Sequence, residues 1–111
     1  MIQKTARRLL PLVAGAALMA TGASAQDLTV ATSVPNLGFP FFVHMENALN
    51  AEAEQLGGIK VLNYDGQNST PKQTSDMEAA IIQGVDGVVI SPLDSVAMAP
   101  AVRQVVEAGI P

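Results

Sequence analysis

No cysteine occurs anywhere in the 111 residues. That single absence excludes disulfides, thiolate metal sites, a cysteine nucleophile and a lipid anchor on an N-terminal cysteine. Histidine occurs once, as His44. A lone histidine at the start of an amphipathic stretch reads as a surface or packing residue, not as a base or ligand. The signatures GxGxxG, GxxxxGK(S/T), HExxH and GxSxG are all missing, so no cofactor and no catalytic motif is indicated.

Long apolar runs are scarce too. One apolar, uncharged run, Leu9 to Ala20, follows Lys4, Arg7 and Arg8 and precedes Ala23-Ser24-Ala25. A basic stretch, an apolar stretch and a small-x-small end predict an export signal cleaved after Ala25. The run is short for a bilayer span and contains Pro11 and Gly15, which argues against a retained anchor. Residues 1–25 are therefore read as a signal peptide, and residues 26–111 as the mature part.

Basic residues are few, and the signal takes half of them. The chain has 6 basic and 10 acidic residues; losing Lys4, Arg7 and Arg8 leaves 3 and 10, a formal net charge of −7. Such a surface does not suit nucleic acid or anionic lipid. A protein with an export signal and neither lipid nor membrane span is expected free in the periplasm of a two-membraned bacterium, with secretion as the alternative.

What is present repeats three times: a β-branched run, a polar turn, an amphipathic stretch, a glycine. The strands are expected at Leu28–Thr32, Ile59–Tyr64 and Val85–Ile90. The first helix is expected over about Pro40–Leu56, with Phe42, Met45, Leu49, Ala53 and Leu56 as its apolar face and Glu46, Glu52 and Glu54 in water. The second opens at Thr70-Pro71-Lys72-Gln73, with Thr70 as N-cap and Gln73 reaching back to it, and carries Met77, Ala80 and Ile81. Asp94 or Ser95 caps the third, whose face is Met98, Val102, Val105 and Val106. Strands alternating with helices predict an α/β fold: a doubly wound parallel sheet, helices on both faces, strand order 2-1-3. Ligands bind such sheets beyond the carboxyl ends of the strands where winding reverses. Two loops meet there, Ser33 to Pro40 and Ser91 to Ser95.

Aromatics are the last scarcity. All three phenylalanines, Phe39, Phe41 and Phe42, lie in one run, SVPNLGFPFFVHM, at the first of those loops. Adjacent helical positions point about 100° apart, so Phe41 and Phe42 cannot both centre one narrow stripe. Phe42 belongs to the Met45–Leu49 face, and Phe41 and Phe39 face elsewhere. A ring beside a cleft is a platform for the C–H face of a sugar.

The run SVPNLGFPFFVHM, then Asp65-Gly66-Gln67-Asn68 with Pro71 and Gln73, then GVDGVVISPLDS and AGIP, resemble the periplasmic sugar-binding proteins of the ribose-binding type. These are substrate-binding components of ABC importers. The resemblance covers residues 27–111 in order. It implies two similar α/β lobes on a hinge clasping a sugar or polyol, with this chain as the front, incomplete part of the N-terminal lobe. It implies no enzyme, a monomer, and a membrane permease as partner. Pro40-Phe41-Phe42 matches the family's aromatic run, so Phe41 and Phe42 are carried over as stacking residues and Ser33 as the polar residue ending the strand. Where an asparagine commonly precedes the proline, Phe39 stands here; Asn36 is the nearby substitute. That departure points away from ribose.

Two other readings have definite requirements. A periplasmic sensor or chemoreceptor partner of the same fold is compatible with everything above. An exported hydrolase would need Ser33, Ser91 or Asp94 to converge with His44. Residues 26–111 by themselves are expected to fold poorly, because both sheet edges are open.

Overall fold

The computed structural model describes residues 27–111. The export-signal reading of residues 1–25 lies outside them. Six elements alternate: β1 (Leu28–Val34), α1 (Pro40–Leu56), β2 (Ile59–Asp65), α2 (Thr70–Gln83), β3 (Gly87–Ile90) and α3 (Ser95–Glu107). The three strands form one parallel sheet in the order β2-β1-β3. β1 is thus central, and winding reverses between β1 and β3.

Side chains of β1 alternate between the two faces. Ala31 joins Met77, Ala80, Val85, Met98, Ala101, Val105 and Ile110 in the buried core that α2 and α3 build on one face. Leu62, Tyr64, Val88 and Ile90 pack against it from β2 and β3. Burying a methionine such as Met77 or Met98 contributes about 1.5–3 kcal/mol. The opposite face carries Thr32, and α1 covers it.

Strand lengths differ slightly from expectation. β1 and β2 extend to Val34 and Asp65, which are the last pair of their ladder. β3 begins later, at Gly87. Just ahead of it, the Asp86 N–H donates to the Thr29 carbonyl at 2.7 Å, and the Asp86 carboxylate accepts the Thr29 N–H at 2.7 Å. That reciprocal pair anchors the entry of β3 on β1 at the end away from the switch point.

Helix ends follow local chemistry. Pro40, with its φ preset, opens α1 at the residue expected. Ser69, not Thr70, caps α2; its Oγ accepts the Lys72 N–H at 3.2 Å. Gly84, at φ 64°, takes the left-handed conformation that closes α2. Asp94 caps α3, its Oδ1 accepting the N–H groups of Val96 (2.9 Å) and Ala97 (2.8 Å).

Three assignments of the helical faces are corrected. Glu46 is not in water: it is 5% exposed, and its Oε2 accepts Thr32 Oγ1 at 2.9 Å and Asn63 Nδ2. It lies four residues after Phe42 and three before Leu49, inside the sheet-facing arc, and Thr32 and Asn63 sit side by side in the β1–β2 register to meet it. Its Oε1 has no hydrogen-bond partner. Leu56 and Val106, read as stripe residues, are instead exposed. Leu56 is the last residue of α1, and Val106 rims a shallow apolar cleft beside β3, which is an edge strand.

Candidate functional site

The carboxyl ends of all three strands open onto one side of the sheet. Three short segments leave from there: 35–39 after β1, 66–69 after β2 and 91–94 after β3. Hydrogen bonds tie the first two together. The Gly66 N–H donates to the Val34 carbonyl at 2.8 Å, and the Asn68 N–H to the Pro35 carbonyl at 2.7 Å. Asp65 Oδ1 accepts from the N–H groups of Leu37 (3.2 Å) and Gln67 (3.0 Å). Gln67 and Asn68 both have positive φ, 52° and 53°, a conformation asparagine tolerates better than most residues and one held here by these contacts.

Asn36 turns its side chain into its own loop. Its Oδ1 accepts the Gly38 N–H at 2.5 Å, and a Cβ on Gly38 would stand 2.8 Å from that oxygen. Asn36 therefore shapes the approach to α1, leaving its Nδ2 as a free donor. Phe39 follows as N-cap of α1 without a side-chain cap bond, and its carbonyl accepts the Phe42 and Val43 N–H groups.

The rings come out as a cluster at this corner. Phe41 is 70% exposed and Phe39 52%. Phe42 is half-buried on the α1 face and meets Phe41 edge to face, with ring centroids 5.2 Å apart at 79°. Large apolar rings gathered and exposed at one corner form a water-facing apolar surface. Leu93, exposed on the β3–α3 loop, adds apolar surface on the other side of the switch point.

Ser33 is placed differently. It is wholly buried, beneath this surface. Its Oγ donates to Asp76 Oδ2 at 2.9 Å and accepts Gln73 Nε2 at 3.3 Å. Asp76 also pairs with Lys72 one helical turn back. The Ser33 hydroxyl is thus enclosed between Asp76 and Gln73.

The residues a hydrolase would need do not converge. Ser33 contacts a carboxylate with no imidazole beside it, Asp94 gives its carboxylate to the N–H groups of α3, and His44 lies on the exposed side of α1. Acyl-transfer chemistry requires a nucleophile in hydrogen-bond reach of its base.

Gln73, Asp76 and Asp65 bond the residues at the carboxyl ends of the strands, and none of them stands out as a site residue from sequence. For Gln73 a signal exists. It precedes Met77 by four residues and Ala80 by seven, which puts it on the buried stripe of α2. With the cap at Ser69, the third helical residue is Lys72, so Gln73 is released from capping and turns to the sheet.

A model of the periplasmic binding protein domain family matches residues 30–111. Among curated relatives, the ribose import binding protein RbsB of Bacillus subtilis is 42% identical over 86 residues, 78% of this chain and 28% of that protein. RbsB of Escherichia coli is 34% identical over 108 residues, 95% of this chain and 36% of that protein. The chain thus spans about a third of the length of these relatives. Among solved structures, a Caulobacter myo-inositol binding protein bound to myo-inositol superposes with a TM-score of 0.72 at 42% identity, over 77% of this chain and 28% of the other. An ABC transporter solute binding protein of Bacillus halodurans with bound myo-inositol gives 0.72 at 27% identity, over 80% and 31%.

Proposed function

The chain belongs to the periplasmic binding protein domain family, and from that premise we propose that it is the front part of the N-terminal lobe of an ABC-importer substrate-binding protein. On this reading residues 1–25 are an export signal cleaved after Ala25, and residues 26–111 contribute one wall of a site for a sugar or polyol. The second wall belongs to a further lobe that closes over the ligand. The loaded monomer works in the periplasm and hands its ligand to a membrane permease. It binds and releases; it does not catalyse.

The observation that carries the proposal is the exposed aromatic corner at the carboxyl end of the central strand. An open platform of rings at a switch point suits the flat C–H face of a cyclic polyhydroxyl compound, with hydroxyls met by polar groups around it. Phe41 is the principal stacking residue, with Phe39 and Phe42 beside it and Asn36 Nδ2 as the nearest free donor of the first loop. Ser33 supports them from below. Phe39, an apolar residue on a loop that otherwise offers few free polar atoms, favours a ligand with a broad C–H face. The names of two solved relatives, both bound to myo-inositol, are consistent with a cyclic polyol; the curated relatives named for ribose keep that sugar in the test.

The test is calorimetric titration of the full-length gene product with myo-inositol, D-ribose and D-galactose. Micromolar binding of at least one is expected. Binding of none of them, with an amino acid or other non-carbohydrate solute bound instead, would overturn the reading.

A further inference from the structure

We propose that Gln73 is a positioning residue that locks the carboxyl ends of all three strands into one binding face. Its side chain is wholly buried, and all of its hydrogen-bonding groups go to the end of β1 or to the β3–α3 loop. Nε2 donates to the Ser91 carbonyl at 2.9 Å and to Ser33 Oγ at 3.3 Å. Oε1 accepts the Leu93 N–H at 2.7 Å. One amide therefore joins the end of β1 to two points of the β3–α3 loop.

The third strand end is held by shape. Gly66, the first residue after β2, lies against the stem of Gln73. A Cβ built on Gly66 would come 2.7 Å from Gln73 Cγ and 2.6 Å from the Val34 carbonyl oxygen. Glycine is required there by close approach, and what it approaches is Gln73 and β1.

The geometry asks for an amide. Ser91 offers an acceptor and Leu93 a donor two residues apart on one loop. Only a side chain with both a donor and an acceptor at its tip answers both, and Gln has the length to do so from α2. Ser33 already donates to Asp76, so its oxygen is left to accept from Gln73. Every group in this small network is paired, the condition under which a buried polar network specifies one arrangement. Capping asks none of this of Gln73, since Ser69 already satisfies Lys72.

The consequence for binding rests on the proposed function; the consequence for the loop does not. In the full-length protein, Gln73→Met keeps the length and removes the amide. Amide hydrogen exchange at Leu93 in the ligand-free protein is expected to quicken about tenfold or more, because its acceptor is gone. Affinity for myo-inositol or D-ribose, whichever the parent binds, is expected to weaken about tenfold. Met77→Ala, a core truncation in the same helix, is the comparison: it should lower the melting temperature at least as much while leaving affinity within about twofold. Gln73→Glu, which keeps the acceptor for Leu93 and loses both donors, should keep Leu93 protected and still weaken binding; it also serves if the methionine variant does not fold. Unchanged Leu93 exchange in Gln73→Met overturns the proposal, as does unchanged affinity in Gln73→Glu, or an equal loss of affinity in Met77→Ala. If the parent binds no sugar or polyol, the functional reading fails and the Leu93 exchange still decides this one.

Discussion

Phe41 spends most of its ring surface in water. Its edge contact with Phe42 recovers part of that area. A residue so exposed adds little to folding, because surface substitutions away from special features change stability by no more than about 0.5 kcal/mol. If it stacks on ligand, removing it should act almost wholly on binding. Phe41→Ala is expected to weaken sugar or polyol affinity about tenfold, equivalent to about 1.4 kcal/mol, with a near-unchanged melting temperature. Phe42→Ala, half-buried on α1, should lower both. Paired calorimetry and thermal melts check the split; a Phe41 variant that melts early and binds normally would assign that ring to packing. Glu46 shows the opposite case at this scale. Its acid type places it in water by habit, yet its position in the stripe places it under the sheet, where Thr32 and Asn63 receive it. Position decided, and the neighbours made the position tolerable.

At the scale of elements, the caps carry measurable weight. Asp94 satisfies two N–H groups at the start of α3 and also terminates the loop that Gln73 holds. Asp94→Ala is expected to cost about 1 kcal/mol, read by urea or guanidinium denaturation, with the far-UV signal of the folded state largely kept. The elements themselves were readable from sequence because their signals are local. Pro40 and Gly57 bracket α1 as expected, and the alternation of β-branched runs with amphipathic stretches sufficed for a parallel sheet in the order β2-β1-β3. What escaped was one residue of register in α2. Ser69 and Thr70 are both acceptable caps by type, and choosing Thr70 makes Gln73 a capping residue. With Ser69 it is freed to bond Ser33, the Ser91 carbonyl and the Leu93 N–H. The aromatic corner was readable because proline and three rings crowd one turn. The burial of Ser33 was not, because whether a strand-end hydroxyl points to a ligand or into a helix depends on contacts 40 and 43 residues away in sequence.

At the scale of the whole molecule, the sheet has a well-filled centre and unfilled margins. β2 and β3 are both edges, and Val89, Ile82 and Val106 stand exposed around them. Open parallel edges and uncovered apolar side chains invite association. Residues 26–111 expressed alone are therefore expected to be aggregated or poorly ordered by circular dichroism and proton NMR. A sharp, cooperative melt of that piece in monomeric form would show that three βα units suffice. Covering those margins with further structure would remove the liability without touching the carboxyl ends of the strands.

Tyr64 gives the chain one further property. It is the only tyrosine, and tryptophan is absent. Its ring packs toward α2, where its hydroxyl accepts Gln83 Nε2 at 2.6 Å and Lys72 Nζ lies 5.8 Å from the ring centre. The rings at the start of α1 are all phenylalanines. Tyrosine absorption and emission from this stretch therefore report on the docking of α2 against β2, and a ligand settling on the phenylalanine corner would pass almost unseen at those wavelengths. The fold carries its own optical gauge of assembly, set on the opposite face from the helix that bears the rings, so folding and occupancy can be followed as separate signals once a tryptophan is introduced at the corner.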